Sequence, residues 1–593
     1  MDFKKLAPPL AAVYERYEQQ GRRRSPLARN ARTLGLVSVR ERAKPLRVVV
    51  SLICDPDVAL DEGLADYGLG DDLVVNAGGR AVRTAIVSLD ALEALASHPA
   101  VRRIVPSTRL RPCLNRALEK VHVQQFRTRT GASGEGVVIG VVDTGIDPDH
   151  PAFAGRIERI WDQTILGGNG VPEGRYGAEF RLSQTGAGTP GTLSRDVEGH
   201  GTHVAGIAAG SNGVAPGARL VIVKTDFQDA HIIDGVQYVF RVARDLGLPA
   251  VVNLSLGGHS DAHDGSDAMS RAIEEESGPG RIVCCAAGNE GDDDIHARIQ
   301  VPEGAVRAVP CHPGMRAGRP DVFAINGWYG GGDRFEIAMA TPSGITTPFQ
   351  PVHTSGNTAA EFDLSEGLVQ IVTPGPSPDN GDVNFFVQVD PAPPGPGAPR
   401  ASWRLLVRGG SVTDGTVDMW MLGDPEARPQ PQFSGPNVHD ALKIGSPGAA
   451  AAAVTVAAST TRTEWKDIDG IAAEAPWLEL GDIASFSSEG PLRDGTRKPD
   501  ITAPGAIIIS ALSRDARDLP RKLITGPREV GMQGTSMACP FIAGIAALVL
   551  QRDATCDPDG FKELLKSNAS VPGSGSGTFH PKWGHGLLDA TDL

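Results

Sequence analysis

Four stretches of this chain read as strands buried on both faces, and they leave little choice of fold. GVVIGVVDTG (136–145), ARLVIVKT (218–225), PAVVNLSLGG (249–258) and RIVCCAAGN (281–289) run apolar without alternation, then break into polar or glycine-rich ends. A sheet with one wet face alternates; a near-continuous apolar run is what a parallel sheet covered on both sides by helices demands. HVAGIAAG (203–210) and DGVQYVFRVARDLG (234–247) supply helices between the strands, and the same texture resumes from GSPGAAAAAVTVAAS (445–459) to the end. The expectation is a doubly wound, mostly parallel α/β sheet built from 113–297 and 438–593, with functional groups at the carboxyl ends of its strands.

Two other stretches break that rhythm. Over 45–112 the order is strand (RVVVSLIC), helix (VALDEGLADYG), two strands about a glycine pair (LVVNAGGRAVRTAIVS), helix (LDALEALASH) and strand (VRRIVPS). Ser88 is placed to cap the second helix and Pro99 follows its end. This βαββαβ order predicts a ferredoxin-like α+β unit. Over 298–437, DRFEIAMA spaces Phe335, Ile337 and Met339 by two, and LVQIVT, NFFVQV, SWRLLV and TVDMWML follow between Pro/Gly-rich loops. An all-β insert, a sandwich or jelly roll, is expected there. Residues 1–44 remain as a basic N-terminal extension. Residues 1–50 carry +8 against −22 for the remainder, and GRRRSPLARNAR (21–32) reads as a solvated, flexible leader.

Polar residues stand where such a sheet forms sites. Asp143 directly follows the apolar VVIGVV, whereas Asp147 in IDPDH is placed to shape the next turn. GHGTHVAGIAAG (199–210) sets His200 between glycines that leave its ring accessible, and His203 ahead of a run that buries it. Asn289 in AAGNEG follows another buried strand. GMQGTSMACP (531–540) puts Ser536 ahead of the apolar FIAGIAALVL, at a helix N-terminus whose free N–H groups and dipole favour negative charge. Gly534 there lets a substrate backbone approach, and Pro540 falls near the end of the first turn, where a missing N–H costs little. Each residue alone has an ordinary structural reading as turn former or helix cap. Together they offer an acid, a base, a nucleophile and, in the Asn289 amide, a donor to a developing oxyanion.

In this order DTGID, GHGTHVAGIAAG, SLGG, AAGN and GTSMACP resemble the subtilases, the subtilisin-like serine peptidases, and SFSSEGP (485–491) and KPDITAPG (498–505) extend the likeness. The order Asp, His, Ser is that family's. The resemblance implies a serine endopeptidase in which Ser536 attacks a peptide carbonyl, His200 carries the proton, Asp143 orients the imidazole, and Asn289 holds the oxyanion with the Ser536 N–H. It implies strand addition of an extended protein or peptide substrate along Ser255, Leu256, Gly257 and Gly258, which with Ala286, Ala287 and Gly288 wall the primary specificity pocket. It makes 45–112 an inhibitory propeptide with its tail in the active-site cleft, first cut near 110–118. The expected insert and RIERIWDQT (156–164) resemble the clostridial spore-germination subtilases in particular.

No cofactor, nucleic-acid partner or metal site is expected. HVAGIAAGSNGVAPGARL lacks the longer loop in which many subtilases hold calcium, and GDDDIH (291–296) reads as a solvated entry to the insert. KTDFQDAHIIDG is short where outer subsites normally lie. The alternatives are a catalytically silent pseudoprotease acting as a binding or signalling module, and a protease that matures a single partner. Seven scattered cysteines give neither a disulfide framework nor zinc spacing and read as reduced, mostly buried thiols, Cys539 among them as a packing residue. With no signal-peptide core and no apolar run near the length of a bilayer span, a cytoplasmic protein without a membrane span is expected.

Overall fold

The computed structural model describes residues 5–19, 47–55, 73–75, 81–106, 111–112, 121–168, 170–181, 194–352, 359–393, 402–424, 426–574 and 577–593. Its centre is a ten-stranded sheet. From one edge the strands run Ala569–Ser570, Leu587–Leu588, Ile501–Ala506, Val454–Thr460, Arg281–Ala286, Ala250–Leu254, Val138–Asp143, Arg219–Lys224, Ile157–Asp162 and Ala178–Arg181. Only the two edge pairs are antiparallel; the interior pairs are parallel.

The lack of alternation in the apolar runs now has its reason. Ile139, Val141, Leu220, Ile222, Ile282 and Cys284 face one layer, packed against helices His200–Ala209 and Thr535–Arg552. Val138, Val142, Val221, Val223, Val283 and Cys285 face the other, against Asp229–Leu246 and Ala268–Glu276. Both faces are dry, so both parities are apolar. Thr535–Arg552 is longer than the apolar run read from sequence. It is long and apolar enough to cross a membrane, yet lies almost wholly buried in this core.

The N-terminal region forms a separate four-stranded sheet. Leu73–Val75, Val82–Ser88, Arg47–Cys54 and Val101–Pro106 lie side by side in that order, each neighbour antiparallel. The Ser88 hydroxyl accepts from the Ala91 N–H and starts the helical segment that continues as Leu92–Ser97. The helix expected at VALDEGLADYG lies outside the described residues, as does the basic run 21–32.

The basic N-terminal extension expected for 1–44 contains an element that the sequence reading did not single out. Residues Pro8–Gln19 form a helix whose Leu10, Val13, Tyr14 and Tyr17 are buried. They pack between the four-stranded sheet and Ala324, Val372 and Phe386 of the insert. This spacing is the 3.6-residue period of an amphipathic helix; the high positive charge of the first fifty residues masked it.

The insert is two facing sheets of six and five strands, from His296–Gln300 to Gln432–Phe433. Phe335, Ile337 and Met339 point into the core between them, as their spacing predicts. Asp292, Asp293 and Asp294 at its entrance are exposed. Arg103 of the four-stranded sheet, itself nearly buried, pairs with Asp379 of the insert at 2.5 Å, and Ile53 and Val82 of that sheet share a buried cluster with Val138, Val142 and Ile233 of the central unit.

Candidate active site

The carboxyl edge of the central sheet collects the residues singled out in the sequence. Asp143 is the last residue of Val138–Asp143 and fully buried. Its Oδ1 lies 2.5 Å from His200 Nδ1 and accepts from the Thr144 N–H at 2.7 Å. His200 opens its helix behind Gly199. A Cβ on Gly201 would sit 2.1 Å from the Gly145 carbonyl, so that glycine is what lets the helix start against the Asp143 turn. The His200 ring is 4 % exposed, buried rather than accessible. His203 is fully buried, as expected.

Asp196, not singled out from the sequence, organises this corner. Its buried carboxylate accepts from the N–H groups of Gly199 (2.8 Å) and Thr202 (2.8 Å) and the hydroxyls of Thr202 (2.6 Å) and Thr144 (2.8 Å). Thr144 in turn accepts from the Gly201 N–H at 2.8 Å. An anion at the N-terminus of the His200 helix satisfies donors that the helix itself leaves unpaired.

Ser536 is the second residue of Thr535–Arg552 and fully buried. Gly534 before it has φ of 147°, a conformation side chains rarely adopt, so its need is set by the turn. The Ser536 hydroxyl donates to the Ser255 carbonyl at 2.8 Å, and the Ser255 hydroxyl donates to the Ser536 carbonyl at 2.7 Å. Pro540 explains the second bond. Four residues beyond Ser536, it has no N–H to give the Ser536 carbonyl, and the Ser255 hydroxyl takes that place.

Ser255 thus has a role that the sequence did not suggest. Its side chain is buried and takes a hydrogen bond from Asn253 Nδ2 at 2.9 Å, so the hydroxyl braces Ser536. Leu256 and Gly257 form a short strand whose edge is occupied by Arg111–Pro112, antiparallel, Pro112 opposite Leu256 and Arg111 opposite Gly257. Gly258 is turned inward, its N–H on the Ser446 carbonyl at 3.0 Å.

Asn289 lies beside Ser536. Its Oδ1 accepts from the Thr535 N–H at 2.8 Å and faces the Thr535 hydroxyl at 3.1 Å. A backbone N–H can only donate, so the amide oxygen is fixed toward Thr535 and the NH₂ is turned the other way. One pocket is lined by Leu256, Gly257, Gly258, Ala286, Ala287, Gly288, Asn289 and Ser536, and by His259, Glu290 and Lys443 as well. Those last three, with Thr535, went unread in the sequence.

The subtilase (peptidase S8) family profile matches residues 134–325 and 400–586, flanking the centre of the insert. The chain belongs to the subtilase family. Serine protease AprX of Bacillus subtilis is 25% identical over 505 residues, 82% of this chain and 73% of that protein. The Major intracellular serine protease of Bacillus subtilis is 34% identical over 176 residues, 28% of this chain and 46% of that protein, so the match spans about half of that relative's length. The structure of the Clostridium perfringens CspB protease superposes with a TM-score of 0.64 over 80% of this chain and 98% of that one, at 21% identity, a likeness of fold.

In this subtilase Cys539 has no nucleophilic setting. Burial pushes its thiol well above the ordinary range, and its Sγ lies 3.8 Å from the Leu254 carbonyl inside the core. Burial likewise pushes Cys285 up to about 12. Among the described residues no group of three or more His, Cys, Asp or Glu side chains is arranged to hold a metal ion.

Proposed function

We propose that this subtilase is a serine endopeptidase working through Asp143, His200 and Ser536, with Asn289 as oxyanion donor. The observation that carries this reading is the buried Asp143–His200 contact at 2.5 Å, at the same sheet edge as a serine on a helix N-terminus. Ser536 re-aims its hydroxyl proton from the Ser255 carbonyl to His200 and attacks the peptide carbonyl carbon. The imidazolium that forms is stabilised by Asp143. The Asn289 NH₂ and the Ser536 N–H receive the oxyanion, His200 returns the proton to the leaving amine as the C–N bond breaks, and water then hydrolyses the acyl-enzyme.

Residues 45–112 are assigned as an autoinhibitory propeptide. The strand order of the four-stranded sheet supports a ferredoxin-like unit, and the pairing of Arg111–Pro112 with Leu256–Gly257 supports a tail in the substrate's place. The two facing sheets of the insert support a jelly-roll-like domain between the halves 113–297 and 438–593. The substrate is a protein or peptide in extended form. A cytoplasmic location accords with the word "intracellular" in the name of one relative.

The test is the intact mass, under denaturing conditions, of wild-type chain beside Ser536→Ala, with fluorophosphonate labelling of both. Wild type is expected as two pieces split near 110–118 and labelled at Ser536, the variant as one unlabelled piece. If both stay whole and neither takes the label, the chain is a pseudoprotease and this reading is wrong.

A further inference from the structure

The outer face of the insert's six-stranded sheet is covered where it meets the N-terminal region. Val383–Pro391 sends Phe385 and Val387 into the core between the two sheets, while Phe386 faces the other way and is just as buried. Val372 stands directly opposite Phe386 on the neighbouring strand, and Ala324 joins the same patch from Phe323–Tyr329. Helix Pro8–Gln19 covers them, lying across the insert strands Ala359–Leu364, Gly367–Val372 and Val383–Pro391. Adjacent phenylalanines point to opposite sides of a strand, and here both sides are dry.

The helix is one piece with the N-terminal sheet. The Ala7 N–H donates to the Ile104 carbonyl at 2.9 Å, the Lys5 ammonium to the His98 carbonyl at 3.1 Å, and the Tyr17 hydroxyl to Asp90 at 3.0 Å. A second grip comes from the turn around Asp379, whose carboxylate takes Arg103 of the N-terminal sheet and stands 3.5 Å from Arg271 of the catalytic unit. Asn380 Nδ2 donates to Asp264 at 2.7 Å, and Arg493 pairs with Asp264 (2.9 Å) and Asp382 (2.6 Å), which fixes this turn to the catalytic unit.

The N-terminal sheet also rests on the catalytic unit itself, through Ile53, Val82 and the Thr84 hydroxyl, which donates to Asp234 at 2.5 Å. One body is thus held on two faces, and neither grip uses the stretch 110–118 where the first cut is assigned. Two linked contacts outlast either alone by about 10²- to 10⁴-fold in affinity. The contact of Leu10, Val372 and Phe386 is moreover dry and apolar, as in permanent assemblies. Departure of the N-terminal unit would leave an apolar patch in water on the insert and another on the helix.

We propose that the insert is a clamp on the inhibitor: helix Pro8–Gln19 on its outer sheet face and Arg103 on Asp379 keep the N-terminal unit seated after the chain is cut, and the active site opens only when this grip is broken. The inference rests on the peptidase and propeptide reading above and adds to it what controls release.

The experiment compares full-length wild type, Leu10→Asp and Phe386→Ser by denaturing mass, size-exclusion chromatography and the rate at which a fluorophosphonate labels Ser536. Wild type is expected to be cut, to elute as one particle and to label slowly. Both variants are expected to be cut as well, to separate into two particles and to label at least about tenfold faster. The two substitutions strike the contact from opposite sides, so release in one alone would mean that its own side had merely unfolded, and overturns the proposal. Wild-type pieces that separate, or variants that stay together and label slowly, overturn it too, as does a labelled wild type that is never cut. If no version is cut and none takes the label, the peptidase reading falls and this inference with it.

Discussion

Removing the Ser255 hydroxyl tests the brace around Ser536 directly. In Ser255→Ala the Ser536 carbonyl loses its donor, and Pro540 cannot replace it. Asn253 Nδ2 loses its acceptor at the same time. All three groups are fully buried, so water does not take over. An orphaned buried polar group costs about 1–3 kcal/mol, which for these two comes to about 2–6 kcal/mol of stability. The reasoning has a sharper consequence. Pro540→Ala restores an N–H four residues beyond Ser536, so Ser255→Ala should cost about 1–2 kcal/mol less in that background than alone. The assay is urea unfolding followed by tryptophan fluorescence on wild type, both single variants and the double variant. If the two substitutions add within about 0.5 kcal/mol, Pro540 and Ser255 do not share the Ser536 carbonyl and the account of this corner is wrong.

Other outcomes follow from the same geometry. Asn289→Ala is expected to lower kcat about 10²- to 10³-fold with little change in KM, read by steady-state kinetics on a peptide substrate. A fall in affinity with kcat intact would remove Asn289 from the oxyanion site. Asp196→Ala strands four donors at the start of the His200 helix; it should cost at least about 3 kcal/mol in the same urea experiment, and a loss under about 1 kcal/mol would contradict the role described. Burial lowers the pKa of His263 in the folded state, so the unfolded chain binds the extra proton first. Stability is therefore fully present above the unfolded histidine value and declines as pH falls below about 6.5, by up to about 1.4 kcal/mol per pH unit. Urea midpoints at pH 8 and pH 5.5 should separate in wild type and draw closer in His263→Gln; equal separation in both would show that another group sets the slope.

How far sequence reached depended on whether the cause was local. The central strands were legible because burial on both faces leaves one readable signature, an apolar run without parity. Phe323–Tyr329 in the insert went unread because FAINGWY places Asn326 and Gly327 in mid-strand; Asn326 is there to hold the 259–263 loop, a purpose visible only in three dimensions. Pro8–Gln19 carries a helical stripe, yet a reading led by charge left it undivided within a basic N-terminal extension. At the site, local pattern put Asp143, Asn289 and Ser536 at strand ends or a helix start, and the order of the family's motifs singled them out together with His200. Their partners did not stand out, since Thr535 meets Asn289 across 246 positions and Ser255 meets Ser536 across 281. Pro540 shows the difference most clearly. Read locally it is a proline tolerated near a helix start, and its cost is one missing hydrogen bond. In the fold that missing bond is a vacancy at the carbonyl of Ser536, and the residue that fills it belongs to the loop that continues into the strand Leu256–Gly257. The proline thereby ties the backbone of the proposed nucleophile to the strand along which a substrate would lie, so their spacing is set by one reciprocal pair of hydrogen bonds.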